Sequence, residues 1–139
     1  MLKLVTTLAF VFTLALLPSV VKADAYPTQE LLSTGTTVMG EAVHYPTTGS
    51  AKVTVSIVTI EPGADTKLHR HPVPLVAYVL DGELTVDYGI KGKKIYRKGD
   101  AFLEAMDVPH RGMNLGTSTV RLLATYLGAE GSHNVTLEK

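Results

Sequence analysis

The sequence predicts an all-β domain, a sandwich or a small barrel, on three observations. From Thr36 onward apolar and polar residues alternate with period two. Turn signals built from Gly, Pro and Asp recur every 8 to 12 residues. After the first 23 residues no window of ten or more keeps a helical period. A length of 139 residues, 45% apolar and 19% charged, is enough for one domain with a real core.

Most of the apolar excess lies at the front. Residues 1–23 read as a secretory signal peptide: a short basic start, an apolar run from Leu4 to Leu17, a helix-ending Pro18 and small residues at Ala23 and Ala25 that suit cleavage. A run of 14 residues falls short of the roughly 20 that span a bilayer. The expected mature protein is therefore periplasmic or secreted, free of the membrane. Residues 24–37 are polar and punctuated by Pro and Gly, and read as an N-terminal arm with one helical turn at Gln29 to Leu32.

Strands then follow in series through a domain at 38–128. VTVSIVTI (53–60) ends at Glu61-Pro62-Gly63, and PLVAYVL (74–80) ends at Asp81-Gly82. ELTVDYG (83–89) puts Leu84, Val86 and Tyr88 on one face and Thr85 and Asp87 on the other. KKIYRKGD, AFLEAM and VRLLATYLG continue the pattern, and residues 129–139 are left as a C-terminal tail. Glu41 falls on an expected edge strand.

Without the leader the chain carries 11 basic against 13 acidic side chains. Nothing in this balance steers it to nucleic acid, and the one basic cluster, Lys91 to Lys94, sits between two strands as a solvated hairpin tip. The absence of cysteine excludes disulfides and thiolate metal sites, so any metal must be held by nitrogen and oxygen. Side chains at i and i+2 leave a strand on the same face about 7 Å apart, so His69 and His71 can address one ion while Arg70 points away. A third histidine, His110, follows 39 residues later, four residues before Asn114.

These residues carry a resemblance. The chain resembles a small single-domain cupin, in which one motif runs Gly, five residues, His-x-His, three or four residues, Glu, six residues, Gly. Gly63, His69, His71 and Gly82 fill those places. The second motif runs Gly, five residues, Pro-x-Gly, two residues, His, three residues, Asn. Gly99, His110 and Asn114 fill it after an intervening 16 residues. There are two departures. Leu75 stands where the family supplies a carboxylate, and Ala105 and Asp107 replace the second motif's Pro and Gly.

The resemblance implies a double-stranded β-helix, or jelly-roll barrel, with His69, His71 and His110 binding a divalent ion (Fe, Mn, Zn, Cu or Ni) in its mouth. It implies that Asn114 shapes a turn or stands behind the ligands. Losing the carboxylate at Leu75 leaves the ion more electrophilic and opens a coordination position, which favours small chelating substrates. Three-histidine cupins of the quercetin dioxygenase-like kind include iron dioxygenases. The expected function is that of a mononuclear-metal dioxygenase, or alternatively a non-catalytic small-molecule or sugar-binding module. Glu104 is the expected proton acceptor for bound substrate, or an acceptor for an imidazole N–H. Leu75, Tyr78 and Tyr126 are expected to line the substrate pocket, His44 and His133 to be solvated, and two copies to form a homodimer.

Overall fold

The computed structural model describes residues 26–139; the expected signal peptide lies outside them. Among the described residues nine strands form: β1 (Ala51–Ile60), β2 (His69–Arg70), β3 (Leu75–Asp81), β4 (Glu83–Asp87), β5 (Lys93–Arg97), β6 (Ala101–Leu103), β7 (Arg111–Met113), β8 (Val120–Ala129) and β9 (Thr136–Leu137). Among the described residues there is no α-helix, only a 3₁₀ turn at Gly89–Lys91, and no helix is long and apolar enough to cross a membrane.

The strands make a four-stranded sheet in the order β1-β8-β3-β6, a three-stranded sheet in the order β5-β4-β7, and a small β2-β9 pair. All pairings between strands are antiparallel. The two larger sheets face each other across a shared core: Ile60, Ala77, Val79, Phe102 and Leu122 from one meet Leu84, Val86 and Tyr88 from the other. Each large side chain buried there contributes about 1.5–3 kcal/mol. Period-two alternation therefore did set the elements, and on β3 the buried residues are Leu75, Ala77 and Val79.

Gly82 is not a hairpin tip. β3 and β4 belong to different sheets, so the Asp81-Gly82 turn is the corner where the chain crosses from one to the other. The basic stretch behaves as read from sequence: β4 pairs with β5 on either side of an exposed tip, where Ile90 is fully exposed.

Three local expectations are corrected. Gln29 to Leu32 form no helical turn, and Leu31 remains half exposed, so a single turn there has no packed face to offset its nucleation. Residues 129–139 are not a loose tail: β9 pairs with β2, and the Glu138 amide donates to the Leu68 carbonyl at 3.0 Å. Glu41 is not on a strand. It sits beside an isolated Thr36–Ala42 bridge, and its carboxylate accepts from the Thr37 hydroxyl (2.7 Å) and from the backbone amides of Met106 (3.0 Å) and Asp107 (2.9 Å).

Glu41 thus clamps the loop that follows β6. Partial burial raises its pKa, but the bonds from Thr37, Met106 and Asp107 outweigh that and hold it below its ordinary value. The unfolded chain takes up this proton first as the pH drops. The stabilisation is complete above the ordinary carboxylate value and is lost as the pH falls through the lowered one. Replacing Glu41 by Gln is expected to cost about 1–2 kcal/mol at pH 7, with the gap to wild type closing below about pH 4, as read by urea unfolding.

The outer face of the four-stranded sheet is apolar. Val53, Val55 and Ile57 on β1 are exposed, with half-buried Leu123 and Leu127 opposite them on β8 and Val76 and Tyr78 beyond on β3. β1 is an edge strand without proline.

Candidate metal centre and ligand cavity

Backbone bonds bring the two halves of the site together. The His69 amide donates to the His110 carbonyl (3.0 Å), the His110 amide returns the bond to the His69 carbonyl (2.9 Å), and the His71 amide donates to Met106 (3.2 Å). Residues 41 positions apart are thereby held side by side. The three imidazole rings cluster with centroids 4.6 to 5.1 Å apart. Among the described residues they form a group able to hold a metal ion, with one ligand nitrogen from each lying within 4.8 Å of the others. Arg70 points away, as strand alternation requires, and pairs with Glu138.

The tautomer of each ring follows from its partner. His69 Nδ1 lies 2.7 Å from the Lys67 carbonyl, His71 Nδ1 2.9 Å from the Asn134 carbonyl, and His110 Nδ1 2.8 Å from the Val108 carbonyl. A carbonyl can only accept, so each Nδ1 carries the hydrogen and each Nε2 keeps a lone pair. Burial lowers the pKa of all three rings, that of His71 to about 4. In the metal-free protein they are neutral at pH 7 and ready to ligate. Three such lone pairs, with no donor among them, suit a divalent cation of the first transition row or zinc.

Behind the rings lies a cavity of about 320 Å³ between the two sheets. Away from the histidines and Glu104 its wall is mostly apolar, with Val58, Ile60, Leu75, Leu84, Phe102 and Leu122 among its residues. Glu104 is buried in that wall, 5% exposed, with Oε2 3.8 Å from His110 Nε2. Its Oε1 accepts from the Tyr88 hydroxyl (2.7 Å) and the Ala105 amide (2.7 Å). Burial pushes the Glu104 carboxyl up to about 7, against the lowering effect of those bonds. Tyr88 is driven far above its ordinary value by burial and by the Glu104 charge, and stays a neutral donor.

Of the residues singled out in the sequence, His69, His71, His110, Glu104, Leu75 and Tyr126 all line this cavity, Tyr126 with its ring 5.7 Å from that of His71. One expectation needs correction, at Tyr78, and two are narrowed to one of their alternatives, at Asn114 and Glu104. Tyr78 is on the opposite face of β3 from Leu75 and Ala77 and lines no part of the cavity, because its neighbours in the ladder, Leu123 and Ala101, lie on the outer face. The Asn114 side chain hydrogen-bonds to no histidine; buried, it donates to the Ile60 and Ser118 carbonyls (both 2.8 Å) and accepts from the Gly116 amide (3.0 Å), which makes it the organiser of a turn. Glu104 accepts no imidazole N–H, since the three Nδ1–H groups are already taken by carbonyls. His44 and His133 are exposed and outside the group.

Two contributors went unnoticed in the sequence. Tyr88 shares a strand face with Leu84 and Val86, and nothing in the sequence gives it a role. The C-terminal segment supplies the Asn134 carbonyl and two cavity residues, Val135 and Leu137, and the apolar alternation at 135 and 137 was the available signal.

Comparison with known proteins agrees with this geometry. The profile of the Cupin domain family matches residues 56–126, half of the chain. No curated protein matches the chain. Among solved structures, a DMSP lyase superposes with a TM-score of 0.54 at 18% identity, covering 63% of this chain and 44% of the lyase. The oxalate decarboxylase of Lactobacillus farciminis gives 0.53 at 20% identity, covering 61% of this chain and 26% of the decarboxylase. A conserved protein with a double-stranded β-helix domain from Klebsiella pneumoniae gives 0.54 at 19% identity, covering 70% and 90%. The chain thus spans less than half the length of the two enzymes, and at these identities the likeness concerns the fold. The family match, the opposed antiparallel sheets and the clustered histidines of the two motifs converge on one conclusion: the chain belongs to the cupin family.

Proposed function

We propose that the chain is an exported, mononuclear metal-dependent enzyme acting on a small chelating substrate, of the iron dioxygenase type. The observation that carries the reading is the set of three neutral imidazoles whose free lone pairs face an apolar cavity of about 320 Å³. Three facially arranged nitrogen ligands would leave positions on the ion for a bidentate oxygen ligand and for dioxygen. When bound, the ion would supply Lewis acidity and redox capacity. The chain's own residues would do the rest: His69, His71 and His110 would hold the ion, Leu75 and Phe102 supply apolar wall, and Tyr126 lines the cavity from β8.

The test is metal analysis followed by oxygen uptake. Protein loaded anaerobically with Fe(II) is expected to retain about one ion per chain and to consume oxygen with a dicarbonyl, a flavonol or a thiol. Full loading with no uptake for any of these would sink the dioxygenase reading and favour a non-catalytic binding module. No loading would sink the metal centre itself.

The apolar outer sheet face and the free β1 edge support a homodimer as the working state, with two β1 strands side by side. Sedimentation is expected to give the mass of two chains, and Val55→Lys, which sets a charge on that exposed face, to give the mass of one.

A further inference from the structure

We infer that Glu104 is a fourth protein ligand to the ion, replacing from the neighbouring strand the carboxylate that Leu75 does not supply. The inference rests on the three-histidine reading above and deepens it. Position 75 is where the family's carboxylate projects from β3, and Glu104 is directly across the ladder from it. The Glu104 amide donates to the Leu75 carbonyl at 2.9 Å, one step beyond the Val76–Leu103 pair of β3 and β6. Antiparallel neighbours of this kind have Cα atoms only about 4.5–5.5 Å apart. Both side chains line the same cavity, so a carboxylate at either position addresses the same point.

The local hydrogen bonding makes the case chemical. His110 Nδ1 is engaged with the Val108 carbonyl, so the Nε2 that faces Glu104 carries a lone pair. Glu104 Oε2 lies 3.8 Å from that nitrogen, too far for a hydrogen bond, and among the described residues no donor is bonded to it. An imidazole lone pair and an ionised carboxylate oxygen across that gap can share a cation between them. The other oxygen, Oε1, is fixed by the Tyr88 hydroxyl and the Ala105 amide. A carboxylate held at one oxygen and free at the other is the arrangement in which a monodentate ligand is oriented from behind. Tyr88 is then a positioning residue, and with Glu104 bound a divalent ion would carry one positive charge less than with imidazoles alone and keep two open positions on an octahedral ion, so that substrate and dioxygen would each bind through one atom rather than substrate through two.

The experiment uses Co(II) as the probe, titrated into the metal-free full-length mature protein and followed by its visible absorption. Wild type is expected to bind one Co(II) per chain. Glu104→Gln keeps an acceptor for Tyr88 and Ala105 but removes the ligand oxygen; it is expected to keep that stoichiometry, weaken affinity about 10- to 100-fold and shift the Co(II) bands. Tyr88→Phe is expected to weaken affinity less and to leave the bands nearer wild type. An infrared difference spectrum of wild type with and without the ion, which needs no variant to fold, is expected to show one carboxylate stretch shifting. Unchanged affinity and bands in Glu104→Gln, or no carboxylate shift in wild type, overturns the Glu104 assignment while leaving the three histidines in place. Wild type that binds no Co(II) overturns the three-histidine reading and this inference with it.

Discussion

His71→Ala is expected to weaken metal binding at least about 100-fold, because removing a direct ligand costs more than the 10- to 100-fold typical of groups behind the ligands. His71 is the most informative of the three positions. It is 3% exposed, its ring packs near Tyr126, and its Nδ1–H is the link between the centre and the Asn134 carbonyl. Alanine there removes a lone pair from the ion and a partner from the C-terminal segment together. Calorimetric titration with Zn(II) measures the first effect, and protease sensitivity after Gly131 measures the second. His133→Ala is the control: an exposed imidazole outside the cluster, its loss is expected to change neither. Equal affinities for His71→Ala and wild type would mean that the clustered rings hold no ion.

Gly82→Ala is expected to cost about 3–5 kcal/mol of stability, combining left-handed strain with a collision against backbone. Gly82 has φ +79°, a region that costs an ordinary L-residue about 1–2 kcal/mol. A Cβ there would meet the Thr119 carbonyl oxygen at 2.9 Å and Val120 Cγ2 at 3.0 Å. Those atoms lie at the start of β8, which pairs with both β1 and β3, so little can move aside. Gly63 separates the two contributions: its φ of +75° is nearly the same, but nothing lies within 4 Å of an added Cβ. Gly63→Ala should therefore cost only the strain. Thermal unfolding would show the contrast as a drop several-fold larger at Gly82, and similar drops at the two positions would show that crowding at the corner is unimportant.

The elements of the barrel were legible because a half-buried strand writes its own period. VTVSIVTI, PLVAYVL and VRLLATYLG each became a strand within a residue or two of the expected bounds. Which face of PLVAYVL turns inward was not legible, since both faces are apolar; the choice came from its cross-strand partners Ala124 and Phe102. The pairing of the histidines was legible only through the family spacing. Nothing local in HRH or VPH announces that His69 and His110 exchange backbone bonds. Glu104 was ambiguous for a physical reason: a turn follows at Asp107 to Pro109, and parity along a strand means little next to a turn. The ladder continues through Glu104 to Leu75, which settles its side. The eleven residues after Gly128 carried too short a pattern to separate a tail from a strand, and β9 has only two residues.

The bond from His71 to the Asn134 carbonyl makes the C-terminal segment part of the centre's own mechanics. The ring is held in aim by that segment, docked through β9, so an ion bound to the three rings would be held more weakly whenever the last residues fray. A single nick in the peptide after Gly131 would let an ion escape with every ligand chemically intact, and an ion in place would slow the nick.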